Sequence, residues 1–281
     1  MTPFPYAMAA IDIDDTLVGP DKKIGEQNRK AVKRIQDLGC RVILASGRRH
    51  SNMLPYCDEL GLIDFIVSCQ GARVEHARKG QRLRLAALPR SATSSLVTEG
   101  ISRGFTVMLW LTEGVFAQAH TSWVDVYHEE SGDVVTITDL DALLDHPAEK
   151  VIWASDPARL LAVEPEIKER YEGRLSVLIT NDWYLEMTAL DAHKADGVAA
   201  VAAAAGIPRE AVLAFGDGNN DVTMLSWAGC GVAMPHGRAS AKAAARLVAP
   251  DGDPEAALAR AVSQLTAGYA ALPRAAERLL A

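Results

Sequence analysis

Two groups of carboxylates lie far apart in the chain, and each follows an apolar run. Asp12 and Asp14 come at the end of a run that starts at Tyr6, and Asp217 follows the apolar residues 212–215. This pattern is typical of buried strands that deliver acids to the carboxyl edge of a parallel sheet, where open α/β sheets bind ligands. Two such strand ends can converge on one divalent cation, which leaves one carboxylate to act as a nucleophile.

The spacing of Asp12 and Asp14 predicts that both side chains point the same way, because side chains alternate along a strand. Two neighbouring carboxylates repel, so the pKa of one rises unless a cation intervenes. One acid could then serve as a nucleophile and the other as a proton donor and acceptor. Alternatively, both are solvated turn residues that cap the next segment. The two residues alone leave these interpretations evenly balanced.

The second acidic group lies in a glycine-containing turn. Gly216 and Gly218 permit a tight turn around Asp217, whose carboxylate is a ligand type that Mg²⁺ prefers. Asn220 and Asp221 open the predicted next helix, where either could support the site or simply cap the helix.

Two further positions could hold a phosphate. Ser46 and Gly47 follow the second predicted strand, and a hydroxyl with backbone N–H groups at a helix start can bind an anion. Lys194 begins a later helix, where its ammonium could neutralise a phosphate and a carboxylate. Taken singly, Ser46 could be a helix cap, and an ordinary surface lysine is the better interpretation of Lys194.

The elements that must position these residues alternate between strand and helix at both ends of the chain. This alternation predicts an α/β fold, a Rossmann-like doubly wound parallel sheet. The rhythm changes in the middle, where residues 105–119 read as a hairpin and several aromatics cluster. We therefore predict a core of residues 1–80 and 188–281, an inserted α+β cap domain of residues 81–187, and a terminal helix within residues 256–281.

Composition narrows the function classes. The chain has 281 residues, 49% hydrophobic and 23% charged, and a net charge of −7, which supports a sizeable core and argues against a nucleic-acid partner. The short basic stretch 73–84 is interpreted as a solvated connection. The four cysteines form no Cys-x-x-Cys pair, and no run is long and apolar enough for a signal peptide or membrane span. We expect a soluble cytoplasmic protein with free thiols.

Four ordered motifs resemble the haloacid dehalogenase (HAD) superfamily of phosphohydrolases, specifically its Cof-type subfamily with a large α/β cap. The resemblance spans the whole chain, and four ordered motifs are far more specific than one. The matching segments are Asp12-Ile13-Asp14-Asp15-Thr16, Leu44-Ala45-Ser46-Gly47-Arg48, Lys194 preceded by Tyr184-Leu185-Glu186-Met187, and Gly216-Asp217-Gly218-Asn219-Asn220-Asp221.

The resemblance implies a mechanism with assigned residues. Asp12 attacks phosphorus to form an aspartyl-phosphate, and Asp14 protonates the leaving alcohol and then activates water. Mg²⁺ is held by Asp12, the Asp14 backbone carbonyl and Asp217. Phosphate contacts come from Ser46, Gly47 and Lys194, and Asn220 and Asp221 support either the metal or Lys194 from outside the set of direct ligands. The implied substrate is a small phosphorylated metabolite, either a sugar phosphate or a phosphorylated cofactor.

The chain departs from the subfamily at two positions. Asp15 stands where glycine is usual, and Gln70 stands where an Asn-Gly-Ala turn is common. Two other functions stay open, a phosphomutase and a non-catalytic protein that binds a phosphate ligand. A homodimer is left open as well. Within the predicted cap, residues that could contact substrate, or could be cap core or surface instead, are Trp110, His120, Trp123, Tyr127 and His128.

Overall fold

Residues up to Arg84 and from His193 on form one unit of the chain, and Leu85–Ala192 form a second. The computed structural model describes residues 3–270. The boundaries expected from the sequence, 80/81 and 187/188, lie a few residues before those between the two units.

The helices and strands are numbered in chain order. The first unit begins with β1 (Met8–Ile11), α1 (Glu26–Asp37), β2 (Arg41–Leu44), α2 (His50–Leu60), β3 (Phe65–Ser68), β4 (Arg73–His76) and β5 (Arg82–Leu85). The second unit contains α3 (Arg90–Ser102), β6 (Thr106–Leu111), β7 (Val115–Ala117), α4 (Ser122–Ser131), β8 (Val135–Ile137), β9 (Ala148–Ala154), α5 (Pro157–Arg170), β10 (Leu175–Asn181) and β11 (Tyr184–Ala189). The first unit resumes with α6 (Lys194–Ala204), β12 (Val212–Gly216), α7 (Val222–Trp227), β13 (Cys230–Ala233), α8 (Ala239–Ala244), β14 (Leu247–Val248) and α9 (Ala257–Thr266).

The sheet of the first unit is parallel, with strand order β14-β13-β12-β1-β2. A parallel bridge between Ala45 and Val67 places β3 beyond β2. Because β1 is central, helices cover both of its faces and its residues are apolar throughout. Ala9 and Ile11 face the core lined by α1, α2 and α9, and Met8 and Ala10 face the core lined by α6, α7 and α8. The predicted Rossmann-like parallel sheet is confirmed.

The second unit is an α+β structure built on one mixed sheet of order β10-β11-β9-β6-β7-β8. Its pairings are antiparallel except for β7 with β8. Side chains from α3 and α5 pack on one face of this sheet around Trp153, whose indole N–H donates to the Leu96 carbonyl.

Two expectations from the sequence need correction or qualification. The basic stretch 73–84 is not a solvated connection, because it forms β4 and β5, and Arg73 is buried against Glu75 at 2.8 Å. The terminal helix ends at Thr266, and residues 271–281 of the expected helix lie outside the described residues. All four cysteines are buried thiols.

Candidate active site

The ends of β1 and β12 bring three carboxylates together. The Asp12 N–H still donates to the Phe215 carbonyl at 3.0 Å, so the two strands stay paired up to the point where their acids emerge. One oxygen from each of Asp12, Asp217 and Asp221 lies within 4.8 Å of the others. Thr16 donates from Oγ1 to Asp217 Oδ1 at 3.1 Å. Parallel pairing of neighbouring strands therefore produces the convergence expected from the sequence.

Lys194 is fully buried against two of these acids. Its Nζ lies 2.5 Å from Asp12 Oδ1 and 2.6 Å from Asp221 Oδ1. Burial alone would lower the pKa of Lys194, but the two carboxylates outweigh burial and raise it, so the ammonium keeps its charge. The interpretation of Lys194 as a surface lysine, which the residue alone favours, is wrong.

Asp12 is 5% exposed and lies close to two other carboxylates, those of Asp217 and Asp221. Burial raises its pKa well above the usual range, the charge of Asp221 adds to the rise, and Lys194 opposes it. Burial and the nearby Asp221 also raise the pKa of Asp217, to about 6. The raised pKa values of Asp12 and Asp217 mean that Lys194 alone does not balance the negative charge of the cluster. A divalent cation would supply the missing positive charge.

Asp221 organises the turn around the cluster. Its Oδ2 accepts hydrogen bonds from the backbone N–H groups of Asp217 at 2.9 Å and Gly218 at 2.8 Å, while its Oδ1 accepts from Lys194. Gly216 makes this approach feasible, because a Cβ there would lie 2.4 Å from Asp221 Cγ. Both oxygens of Asp221 therefore have hydrogen-bond partners within the protein, and its supporting role stays a prediction.

Asp14 faces a different environment from Asp12. Arg48 binds its carboxylate in a bidentate manner, with Nε 2.8 Å from Oδ2 and Nη2 2.7 Å from Oδ1. Lys22 adds a third contact at 2.8 Å. Burial would raise the pKa of Asp14, but these hydrogen bonds and charges lower it to about 2. The Asp14 side chain is not part of the three-carboxylate cluster, and its expected metal contact is through its backbone.

Arg48 is part of the second motif, but the sequence predicts no role for its side chain. Its guanidinium lies over the Tyr56 ring, 5.3 Å from the centroid, and donates to the Tyr56 hydroxyl at 3.2 Å. The Tyr56 hydroxyl in turn donates to the Lys22 carbonyl at 3.1 Å. No local pattern could have revealed these contacts, because they bring residues 14–22 together with residues 48–56.

Ser46 and Gly47 follow β2, the strand next to β1, so they lie at the same edge of the sheet. Ser46 is buried, and its Oγ accepts from the Arg48 backbone N–H at 3.2 Å. Asn220 is exposed and donates from Nδ2 to Gln70 Oε1 at 3.1 Å, which is a different partner from Lys194. The functional roles of Ser46, Gly47 and Asn220 stay predictions.

The aromatic candidates of the second unit have partners within that unit. The Lys150 ammonium lies 4.1 Å from the centroid of the buried Trp110 ring, and Tyr127 packs edge-on against the same ring. Trp123 packs near Trp183, His120 pairs with Asp125 at 2.9 Å, and His128 Nδ1 lies 2.8 Å from the Asp133 carbonyl. For Trp110 and Tyr127 the structure favours a role in the core of the unit.

The residues present fit a Mg²⁺ ion. Asp12 and Asp217 offer hard carboxylate oxygens at the carboxyl ends of β1 and β12. Asp221, the third carboxylate of the cluster, is already hydrogen-bonded to Lys194. Oxygen-only donor sets of this kind suit Mg²⁺ rather than softer metals.

In residues 3–270 no helix is long and apolar enough to cross a membrane.

Similar proteins include phosphatases from several bacteria. The chain is 29% identical over 243 residues to the 5-amino-6-(5-phospho-D-ribitylamino)uracil phosphatase YitU of Bacillus subtilis, covering 83% of this chain and 87% of the relative. It is 26% identical over 234 residues to the HMP-PP phosphatase of Serratia proteamaculans, with coverages of 82% and 84%.

The fold is also found in solved structures. A haloacid dehalogenase-like hydrolase from Bacteroides thetaiotaomicron superimposes with a TM-score of 0.82 at 27% identity, covering 92% of this chain and 99% of that one. The family profile described as haloacid dehalogenase-like hydrolase matches residues 9–262. This match includes every motif that carried the resemblance, so the predicted family is confirmed, and the chain belongs to the haloacid dehalogenase-like hydrolases.

Proposed function

We propose that this hydrolase is a Mg²⁺-dependent phosphatase that cleaves a small phosphorylated metabolite through an aspartyl-phosphate on Asp12. The observation that carries the proposal is the placement of Asp12, buried at the end of β1 and 2.5 Å from a buried, charged lysine. Such a carboxylate is oriented and shielded from bulk water, as a nucleophile toward phosphorus requires.

In the first chemical step an Asp12 oxygen forms a bond to phosphorus while the ester P–O bond breaks. Protonated Asp14 gives its proton to the departing alkoxide, which leaves as an alcohol. Lys194 and the backbone around Ser46 and Gly47 neutralise and hold the phosphoryl oxygens. When bound, Mg²⁺ supplies positive charge to the phosphoryl group and to the Asp12 and Asp217 carboxylates.

In the second step water attacks phosphorus and the Asp12–phosphate bond breaks. Asp14 takes the proton from the water, so both acids return to their starting state and inorganic phosphate leaves. The contact of Asp14 with Arg48 keeps its carboxylate ionised in the resting protein. Before the first step Asp14 must therefore take up a proton from solvent, and its contact with Arg48 must loosen as it does so.

The substrate class is supported by the relatives. By their names, the two relatives described above act on HMP-PP and on 5-amino-6-(5-phospho-D-ribitylamino)uracil. We propose a sugar phosphate or a phosphorylated cofactor for this chain, with residues 85–192 as the cap that selects it. The cytoplasm is the proposed location, because four buried thiols suit a reducing compartment.

The test is turnover of a generic aryl phosphate before and after chelation. Activity that disappears with chelator and returns with added Mg²⁺ supports the proposal, and turnover that persists without divalent cations contradicts it. A panel of phosphorylated metabolites then ranks substrates by kcat/KM. With sugar phosphates, release of free phosphate identifies a phosphatase, whereas an isomeric sugar phosphate without release identifies a phosphomutase. Binding without either product identifies a non-catalytic protein.

A further inference from the structure

The turn formed by Cys69, Gln70 and Gly71 lies against two segments of the active site. The Gln70 N–H donates to the Ser46 carbonyl at 3.1 Å, and the Cys69 N–H donates to the Arg48 carbonyl at 2.9 Å. On its other side, Gly71 approaches the residue before Lys194 so closely that a Cβ would lie 2.0 Å from the His193 carbonyl oxygen. The turn therefore touches the segments that carry Ser46, Gly47 and Lys194.

The backbone of this turn is strained. Cys69 and Gln70 are consecutive non-glycine residues in the left-handed region, with φ of 51° and 60°. Residues strained in this way cluster at functional sites. The unusual conformation presents the Gln70 side chain toward the loop after β2.

The carboxamide of Gln70 has a fixed orientation. Its Oε1 accepts from Asn220 Nδ2 at 3.1 Å, so the other end of the carboxamide, Nε2, faces Gly47. A Cβ on Gly47 would lie 2.6 Å from Gln70 Nε2. Gly47 has an ordinary φ, so its lack of a side chain makes room for the carboxamide and is not needed for the backbone.

We infer that Gln70 is a further substrate-binding residue, which donates a hydrogen bond from Nε2 to the phosphoryl group bound at Gly47, while Asn220 orients its carboxamide. The inference rests on the proposed function, because Gly47 is where that function places the phosphoryl oxygens. An amide donor directed at an anion adds a charge-assisted hydrogen bond. The bond acts on the phosphoryl group itself, so it affects every phosphate ester and inorganic phosphate alike.

The decisive variant is Gln70→Glu. Glutamate keeps the shape of glutamine and can still accept from Asn220, but it replaces the NH₂ donor with a negative oxygen. We expect the inhibition constant of inorganic phosphate and the KM for an aryl phosphate to rise together, about ten- to hundredfold, because hydrogen bonds to charged groups contribute about that much. The thermal midpoint should stay near that of the wild type.

Three variants separate this role from a purely structural one. Gln36→Glu makes the same chemical change in the last turn of α1, the helix end that leads into the start of β2 at the opposite edge of the sheet. It should leave phosphate binding unchanged. Gly47→Ala should weaken phosphate binding by displacing the carboxamide, and adding Gln70→Ala should relieve the clash but not restore wild-type affinity.

The outcomes are distinguishable. If the wild type hydrolyses aryl phosphate and Gln70→Glu binds inorganic phosphate as tightly as the wild type, Gln70 only joins two loops and the inference is overturned. The same holds if Gln70→Glu and Gln36→Glu weaken phosphate binding equally. If the wild type neither binds phosphate nor hydrolyses any ester, the proposed function fails first.

Discussion

Asp12 and Asp14 stand two residues apart, yet the protein gives them opposite surroundings. Asp12 is buried beside Asp221 and Lys194, and its pKa is raised. Asp14 is partly exposed and held by Arg48 and Lys22, and its pKa is lowered to about 2. Lys194 and Arg48, the main partners of the two acids, come from distant segments, so the contrast between two like residues is set by tertiary structure. The predictions below break or sharpen this contrast.

The largest effect is expected at Asp12. Asp12→Asn should abolish turnover, because an amide cannot form the aspartyl-phosphate. The measurement is aryl phosphate hydrolysis with Mg²⁺ present. Asp15→Asn is the matched control: Asp15 is exposed and left-handed, with φ of 55°, a conformation that asparagine tolerates. Wild-type turnover in Asp12→Asn would show that another residue is the nucleophile.

Asp14→Asn should have a smaller effect that depends on the leaving group. It keeps the Asp14 backbone carbonyl proposed for Mg²⁺, weakens the contacts with Arg48 and Lys22, and removes proton transfer, which typically contributes about 10²- to 10⁴-fold. Alkyl phosphates should lose that much, whereas an ester with a very good leaving group should still phosphorylate Asp12.

The intermediate should then accumulate in Asp14→Asn, because its hydrolysis also needs Asp14. Mass spectrometry of acid-quenched protein would detect a phosphoryl group on the peptide that contains Asp12. Phosphate on Ser46 instead, or equal losses for all leaving groups, would contradict the assigned roles.

The third prediction concerns the buried side of the contrast. The pKa of Asp217, raised to about 6 by burial and by Asp221, means that the native state without metal binds a proton that the unfolded chain releases near pH 4. The stability that this proton contributes is present below about pH 4 and is lost as pH rises through about 6. The total loss in the free energy of unfolding is at most about 3 kcal/mol.

Urea unfolding of the metal-free protein at pH 4.5 and pH 7 measures this loss. The wild type should lose more stability over that interval than Asp217→Asn, which has no carboxyl to titrate. Added Mg²⁺ should stabilise the wild type more at pH 7 than at pH 4.5, because it competes with the proton. If the free energy of unfolding falls equally in the two proteins between pH 4.5 and pH 7, the group that titrates is not Asp217.

The convergence of Asp12 with Asp217 could be predicted from the sequence. Each acid follows an apolar run, and parallel pairing puts both strand ends at one edge. The helices α3 and α4 cannot be predicted in the same way. The Ser/Thr-rich segment of α3 and the polar segment of α4 lack apolar residues at the regular spacing of a helix.

The environment of each acid could not be predicted. The clamp of Arg48 on Asp14 spans 34 residues, and the contact of Lys194 with Asp12 spans 182. No local pattern reports such contacts, so Lys194 taken singly looked like a surface residue. Only its place among four ordered motifs pointed to the site. Gln70 departs from the subfamily pattern, but the sequence gives no sign of its contact with Asn220, which the resemblance places beside the metal or Lys194.

The smallest effect is expected at the exposed side of the contrast. Because the folded pKa of Asp14 lies below its unfolded value, the clamp contributes stability above about pH 4, and this contribution is lost as pH falls toward 2. Asp14 is 37% exposed, so solvent screening limits the contribution to about 1 kcal/mol. Arg48→Gln should remove most of it, whereas Lys22→Gln should remove less, because Lys22 is 48% exposed and makes one contact rather than two.

The informative quantity is the difference in unfolding free energy between the wild type and Arg48→Gln as a function of pH. Loss of packing against Tyr56 would lower the stability of Arg48→Gln equally at every pH. Loss of the ion pair produces a difference that is constant from about pH 5 to 7 and shrinks as Asp14 becomes protonated below about pH 4. A difference that stays constant down to pH 2 would mean that Arg48 stabilises the fold through packing alone, and that the contrast between the two acids does not depend on this clamp.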